Sequence, residues 1–196
     1  MIKLFKLYNC VGFFIAIIVC GYVLSTTNVL PAAAQSLDEP WAPPNNLSHS
    51  GATDNPVMIV DSSGIVHVIW EDEFSGWIYT RLESDIWSTP IAAYFPFEYI
   101  FESEESSHPR LIPDTNGRIH AFWTDEEDVL FYSSVESSSF NDPLSWQAPQ
   151  QIAQSAVDID IAIDTQGNMH LVYVRAIDDD IFPAGIYYRY LTNGGL

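Results

Sequence analysis

Apolar and polar positions recur along this chain in a pattern that appears three times. The pattern is Asp-x-x-Gly-x-x-His-x-x-aromatic, and successive copies are separated by 53 and 50 residues. An apolar, β-branched run precedes each Asp and another follows each Gly, so every copy predicts two short strands joined by a tight turn. The three copies are Asp61–Trp70, Asp114–Trp123 and Asp164–Tyr173.

Two further segments complete each repeat. A third apolar segment contains Ile78-Tyr79, Phe131-Tyr132 or Tyr187-Tyr188, and a fourth contains Trp87-x-x-Pro90 or Trp146-x-x-Pro149. No helical period follows residue 34. Four antiparallel strands per unit, repeated at about fifty residues, are typical of a β-propeller. We therefore predict an all-β propeller with about three four-stranded blades, in units 55–93, 108–153 and 157–196.

The two ends of the repeat region match each other. Trp41-Ala42-Pro43-Pro44 has the fourth-strand pattern and predicts an outer strand near 41–47, whereas the third unit stops at Thr192–Leu196 where its own fourth strand is due. Propellers typically have about 4 to 8 blades, so three blades are too few for a closed ring. We favour a piece of a longer, six-bladed protein; a homodimer of three-bladed halves is the alternative if the chain is complete.

The N-terminal region has the features of a secretory signal. Lys3 and Lys6 precede the uncharged apolar run Val11–Leu24, and small residues at Ala32–Ala34 predict cleavage after Ala34. If the apolar run extends back to Leu4, it is long enough to be an uncleaved anchor. We expect a secreted, cell-surface or periplasmic protein whose mature part is 35–196, with membrane contact only through an uncleaved N-terminal segment.

The charge of the chain restricts its partners. The 196 residues carry a formal net charge of −19, and cleavage would remove both lysines and both cysteines. The remaining five arginines oppose 26 acidic residues, which excludes nucleic acid and anionic membranes as partners. Cations, basic partners and neutral sugars remain. Aromatic residues supply enough apolar area to exclude disorder.

One segment resembles a known family signature. Ser139–Trp146 is similar to the Asp box, Ser-x-Asp-x-Gly-x-Thr-Trp, of sialidase-like propellers with BNR repeats, with Asn for Asp, Pro for Gly and Ser for Thr. Ser84–Trp87 is similar to a shortened box and Thr192–Gly195 to an interrupted one. The resemblance implies a propeller and relatives that hydrolyse sialosides, which they bind through three arginines. Arg110–Pro113 is similar to their Arg-Ile-Pro motif with one extra residue, but no second or third arginine matches.

Acidic residues concentrate in loops that an up-and-down blade places on one face. The loops between second and third strands hold ten acidic residues, and the long connection 94–108, which holds four more, emerges at the same end. We predict a substrate-binding site for a polar or cation-assisted ligand here; solvated loops that aid solubility are the alternative. No cofactor is assigned, although oxygen ligands would suit calcium. The candidate residues are Arg110, Asp72, Glu73, Asp125, Glu126 and Asp178.

The residues repeated in every copy favour structural roles. Histidines at one position of successive blades lie too far apart to share a metal ion, because packed sheets are about 10 Å apart. We expect His67, His120 and His170 to pack between blades, and the three turn aspartates to accept hydrogen bonds from their own backbone. We assign no catalytic and no metal-binding residue.

These observations lead to two functional hypotheses. The first is an exported, non-catalytic propeller module that recognises a glycan or a protein. The alternative is the N-terminal part of a sialidase-like exo-glycosidase whose catalytic residues lie mostly beyond Leu196.

Overall fold

The computed structural model describes residues 41–97, 108–177 and 181–192. The chain divides into two units, Met1–Asn45 and Asn46–Leu196. Residues 41–45 of the first unit have no regular secondary structure. No strand begins before Thr53 in the described residues, so the pairing of an outer strand near 41–47 with a last blade stays a prediction. The predicted signal, 1–34, lies outside the described residues.

The second unit is built from strands. Within the described residues, no helix is long and apolar enough to cross a membrane, and the one helical element is a 3₁₀ turn at Ser137–Ser139. The strands are β1 (Thr53–Val60), β2 (Val66–Asp72), β3 (Gly76–Glu83), β4 (Ile86–Trp87), β5 (Ile91–Ala92), β6 (Arg110–Pro113), β7 (Arg118–Thr124), β8 (Leu130–Glu136), β9 (Gln150–Ala153), β10 (Ala156–Ile163), β11 (Met169–Arg175) and β12 (Gly185–Leu191).

The strands form three antiparallel sheets in chain order, which we call blades 1 to 3. Blade 1 has the order β1-β2-β3-β4, and β5 continues the outer edge by pairing with β3. Pro90 lies between β4 and β5, where a residue without a backbone N–H interrupts the fourth strand. Blade 2 has the order β6-β7-β8-β9, and blade 3 has β10-β11-β12 within the described residues. The predicted meander of propeller blades is confirmed.

The blades pack face to face along one arc. The inner strand β6 lies between β1 and β10. Side chains alternate between the two faces of a strand, so each middle strand contributes to two cores. Ile119, Ala121 and Trp123 of β7 pack against blade 1, while Phe122 between them packs against blade 3. Because both faces of these strands are buried, their sequences are apolar runs without regular polar positions.

The connection after blade 1 contributes to the first of these cores. Phe95 and Phe97 are buried between blades 1 and 2, where their rings stack with centroids 5.0 Å apart. Tyr94 is exposed. Phe95 and Phe97 therefore cover the core between the two blades. Tyr99 and Phe101 lie outside the described residues.

Candidate functional site

Each blade contains one Asp–His–Tyr triad built from the repeated motif. In blade 1, His67 Nε2 lies 3.3 Å from Asp61 Oδ2, and His67 Nδ1 lies 2.9 Å from Tyr79 Oη. The corresponding distances are 3.4 and 2.8 Å in blade 2, and 3.3 and 2.9 Å in blade 3. The triads are Asp61–His67–Tyr79, Asp114–His120–Tyr132 and Asp164–His170–Tyr188.

The protonation of the triad follows from its environment. Burial tends to raise the pKa of Asp61, but hydrogen bonds from the Ile65 amide, His67 and Ser137 outweigh it and lower the pKa. Burial also lowers the pKa of His67, more than the neighbouring Asp61 raises it. An ionised carboxylate only accepts hydrogen bonds, so the neutral His67 donates from Nε2 and accepts the Tyr79 hydroxyl proton at Nδ1.

The same aspartates close the turns between first and second strands. Asp61 Oδ1 accepts the amides of Ser63 and Ile65, each at 2.9 Å. Asp114 and Asp164 accept from the equivalent residues at 2.8 to 2.9 Å. Hydrogen bonds from the Asn168 side chain and backbone lower the pKa of Asp164 to about 2. The turn role predicted for the aspartates is confirmed in all three blades. His67 and His120 are buried as predicted, whereas the side chain of His170 is 34% exposed and does not pack between blades in the described residues.

The acidic loops lie at the end of each blade where the inner strand begins. Thr53 pairs with Asp72, and Ala156 pairs with Arg175, so the start of an inner strand adjoins the loop between second and third strands. Two of the clefts at this end contain residues predicted to share one site, and they separate Asp72 and Glu73 from Arg110.

The first cleft belongs to blade 1 and is acidic. It has a volume of about 580 Å³ and is lined by Asp54, Glu71, Asp72 and Glu73 among others. Two of these carboxylates already have partners: Ser50 Oγ donates to Asp72 Oδ2 at 3.0 Å, and the side-chain amide of Asn55 donates to Glu71 Oε2 at 2.7 Å. They hold Ser50, which precedes β1, and Asn55, within β1, against the end of β2.

The candidate residues of blade 2 lie in a tight turn. Asp125 Oδ1 accepts the amides of Glu127 and Val129 at 3.0 and 2.8 Å, as Asp61 does in its own turn. Asp128 stands three residues after Asp125, as the glycine of the repeated motif stands after its aspartate, and it also has a positive φ, of 58°. Glu126 is exposed. Asp125 therefore shapes the loop, and Asp178 lies outside the described residues.

The second cleft lies where the three inner strands meet, and we call it the central cleft. Its volume is about 430 Å³. Arg110 enters it from β6, as the sequence placed it on an inner strand, and Asp158 enters from β10. Both side chains are exposed, and no ion pair joins Arg110 to an acidic group in the described residues. The lining is Pro56, Val57, Met58, His108, Pro109, Arg110, Leu111, Thr124, Asp158 and Ile159.

Asp158 and His108 were not among the predicted site residues, although the repeat contains a signal for both. They stand six residues before the turn aspartate of their blades, as Asn55 does in blade 1. Asn55 and Asp158 have positive φ angles of 54° and 49° and lie at β-bulges in the inner strands. Bulges redirect side chains, and Asn and Asp tolerate positive φ better than most residues. A polar residue six positions before the turn aspartate therefore lies at the end of each inner strand that is next to a cleft.

The described residues hold no group of three or more His, Cys, Asp or Glu side chains placed to bind a metal ion. The Asp-box-like segment lies between the third and fourth strands of blade 2. Within it, Asp142 Oδ2 accepts the Ser145 hydroxyl at 2.7 Å, and the Trp146 indole donates to the Phe140 carbonyl at 3.1 Å. In the shortened segment, Ser84 and Asp85 form a two-residue hairpin turn with φ of 51° and 61°.

Comparison with solved structures finds likenesses at low sequence identity. No protein-family model and no curated protein matches the sequence. A protein of unknown function from Dyadobacter fermentans is 14% identical, with a TM-score of 0.47 over 70% of this chain and 37% of its own. An α-L-arabinofuranosidase from Podospora anserina, solved with cellotriose, is 12% identical, with a TM-score of 0.41 over 72% of this chain and 46% of its own.

The chain thus spans less than half the length of either structure. At these TM-scores neither likeness supports an argument, so the propeller assignment rests on the strand pairing and blade packing described above. The sialidase-like family assignment stays a prediction.

Proposed function

We propose that this chain is an exported, non-catalytic recognition module that binds a neutral glycan in the central cleft. The observation that carries the proposal is the lining of that cleft, in which Arg110, Asp158 and Thr124 stand among apolar side chains from three inner strands. Ligand sites in proteins typically have volumes of about 300 to 1,000 Å³ and combine apolar walls with a few polar groups. The central cleft has both properties.

A sugar ring matches this lining chemically. Its hydroxyl groups donate to a carboxylate such as Asp158 and accept from a guanidinium such as Arg110, and its C–H faces pack on apolar surface. Arg110 has no acidic partner in the described residues, and its exposed side chain lines the cleft. The surrounding negative charge disfavours anionic ligands, which supports a neutral sugar over an acidic one.

The cleft supports binding better than hydrolysis. Glycoside hydrolases use two carboxyl groups on opposite sides of the scissile bond. Among the described lining residues, Asp158 is the one carboxylate. One observation supports the sialidase-like alternative. Arg110 lies in the cleft on an inner strand, where the resemblance puts the first arginine of an anion site.

The test is isothermal titration of the purified chain with neutral pentose and hexose oligosaccharides and with sialyllactose. We expect a neutral oligosaccharide to bind, and Arg110→Ala and Asp158→Asn each to weaken binding at least about tenfold, since a hydrogen bond to a charged group contributes roughly 1.5–3 kcal/mol. Asp158→Asn keeps the bulge intact, because blade 1 already has Asn55 at this position.

Arg81→Ala is the matched control. The Arg81 side chain is 43% exposed and pairs with Glu83 on the third strand of blade 1, away from the cleft. It should leave binding unchanged. Binding restricted to sialyllactose would favour the alternative, hydrolysis of a fluorogenic sialoside would refute the non-catalytic role, and binding of neither sugar class would overturn both functions.

A further inference from the structure

A large cleft lies between blades 2 and 3, and we call it the lateral cleft. Its volume is about 640 Å³, within the range of about 300 to 1,000 Å³ that is typical of ligand sites. It shares no lining residue with the central cleft. One wall is β9 with the connection after it, and the other is formed by β11, β12 and the loop between them. The lining includes Gln151, Gln154, Tyr173, Arg175, Tyr187 and Arg189.

The equivalent space between blades 1 and 2 holds an aromatic ring. Trp123 of β7 and Phe131 of β8 are cross-strand partners, and their rings stack with centroids 5.9 Å apart. Phe97, from the long connection after blade 1, packs against Trp123 with the two ring centroids 6.0 Å apart. Phe97 is fully buried there. A single six-membered ring therefore fits between two blades at this position.

Blade 3 repeats this aromatic pair at the lateral cleft. Tyr173 ends the third copy of the repeated motif, as Trp123 ends the second, and it pairs with Tyr187 across the strands. The two tyrosine rings stack with centroids 5.6 Å apart. Residues 93–109 connect blades 1 and 2, whereas blades 2 and 3 are connected by residues 154–155 alone. Because this connection is too short to insert a ring as Phe97 does, the tyrosine pair lines a cleft.

Two arginines of blade 3 fix the walls of the lateral cleft. Arg175 Nη1 donates to the Gln154 carbonyl at 2.9 Å, and Arg175 Nε donates to the Phe182 carbonyl at 3.2 Å. Arg175 is only 9% exposed. Arg189 Nη1 donates to the Ile152 carbonyl. Both guanidinium groups thus bind the backbone of blade 2 and tie the two walls together.

The lateral cleft offers both kinds of contact that a sugar ring uses. The stacked tyrosines present apolar ring surface to the C–H face of a sugar, and the Tyr187 hydroxyl is held by donating to the Pro183 carbonyl at 2.6 Å. A guanidinium has five N–H donors, of which the Ile152 carbonyl accepts one from Arg189, so Arg189 can also donate to a sugar hydroxyl. The exposed side-chain amide of Gln151 both donates and accepts.

We propose that the lateral cleft is a second glycan-binding site, in which one neutral sugar ring takes the place that Phe97 has between blades 1 and 2. The ring packs its C–H face on the tyrosine pair, and its hydroxyl groups bind Arg189 and Gln151. The net charge of −19 disfavours an acidic sugar here, as it does in the central cleft. Two separate sites on one chain let it hold two parts of one polysaccharide, which strengthens binding by multivalency.

The first test is NMR of the arginine Nε–Hε signals while the isotope-labelled chain is titrated with neutral pentose and hexose oligosaccharides. The chain has five arginines, and single substitutions such as Arg189→Met assign their signals. We expect a saturable shift of the Arg189 signal. The Arg110 signal reports on the central cleft separately. The Arg81 signal, from outside both clefts, should stay unchanged.

The second test fills the lateral cleft. Gln154→Phe places a phenyl ring where Phe97 lies between blades 1 and 2, and it should raise the dissociation constant obtained from the Arg189 signal at least about tenfold. Arg175 binds the backbone carbonyl of residue 154, so circular dichroism should show that this variant stays folded. Ser63→Phe adds an exposed ring to a turn of blade 1 and should leave the dissociation constant unchanged.

A milder variant tests the polar contact without adding volume. Gln151→Ala removes one exposed amide and keeps the Arg189 signal. It should raise the dissociation constant roughly two- to tenfold, because a hydrogen bond between neutral groups contributes about 0.5–1.5 kcal/mol.

The two arginine signals separate the outcomes for the two clefts. A shift of Arg110 without a shift of Arg189 would overturn the lateral site and leave the central cleft supported. A shift of Arg189 alone would support the lateral site and count against the central cleft. If the dissociation constant were the same in Gln154→Phe and Gln151→Ala as in the wild type, no sugar ring would lie between these blades. A shift of Arg189 with a hexuronate oligosaccharide alone would exclude the neutral sugar.

Discussion

Blades 1 and 3 contain the same Asp–His–Tyr triad in different surroundings. The distances within the two triads agree, yet the side chain of His67 is 2% exposed and that of His170 is 34% exposed. The geometry is therefore set by the strands of one blade, whose register places Asp, His and Tyr together. A neighbouring blade excludes water from the triad. The same substitution should therefore cost more stability in blade 1 than in blade 3.

Phe140 of blade 2 provides part of the cover over the blade 1 triad. Its ring centroid lies 5.2 Å from that of His67 and 5.5 Å from that of Tyr79. It also packs against Phe95 and Trp146, and it is almost fully buried. A single side chain from the loop after β8 thus joins the two blades. Replacing Phe140 should therefore lower the free energy of unfolding strongly.

The first prediction is that Phe140→Ala lowers the free energy of unfolding by about 4 kcal/mol, because truncating a buried phenylalanine leaves a cavity. Urea denaturation followed by tryptophan fluorescence would measure the loss. Phe74→Ala removes an exposed ring and should change stability by less than about 0.5 kcal/mol. If the two variants lost equal stability, Phe140 would not be the cover that distinguishes blade 1 from blade 3.

The architecture of the blades could be predicted from the sequence because each strand repeats a local pattern. The turn Asp, the Gly at positive φ and the strand histidine depend on residues close in the chain, and three copies confirm one another. The part played by Phe140 could not be predicted in this way. It contacts a different blade, and its position within the Asp-box-like segment gives no information about that partner.

The candidate site was predicted less well for a similar reason. Asp72 and Asp125 were predicted as site residues because acidic residues concentrate in their loops. In the structure, both accept hydrogen bonds that hold their loops in place. The central cleft depends on how three inner strands converge, and periodicity within one strand does not reveal convergence. Arg110 was found through a motif, whereas the signal for Asp158 is an offset from the turn aspartate at which the three repeats have different residue types, Asn, His and Asp.

The second prediction compares the same substitution in the two blades. Asp61→Ala leaves the buried His67 Nε2 and the amides of Ser63 and Ile65 without their acceptor, and should cost about 3 kcal/mol of stability. Asp164→Ala removes the same contacts where water can replace them, and should cost clearly less. Urea midpoints of the two variants give the comparison. Equal losses would mean that the cover over blade 1 does not affect the strength of its triad.

The third prediction concerns pH and has the smallest expected effect. Burial lowers the pKa of His67 and of His120 from the ordinary value of 6.5. The unfolded chain therefore binds more protons than the folded chain below pH 6.5, and stability must fall as the pH decreases from there towards the folded pKa values. The slope should be at most about 1.4 kcal/mol per pH unit for each histidine.

Thermal unfolding measured between pH 8 and pH 5 would show this dependence as a melting temperature that is level above about pH 7 and declines below it. His67→Gln should reduce the decline, because the substituted residue takes up no proton on unfolding. His49→Asn, which changes an exposed histidine outside the triads, should retain the full decline. An unchanged slope in His67→Gln would show that the buried triad of blade 1 gains no proton on unfolding. The triads of blades 1 and 3 would then differ in exposure to water but not in proton uptake.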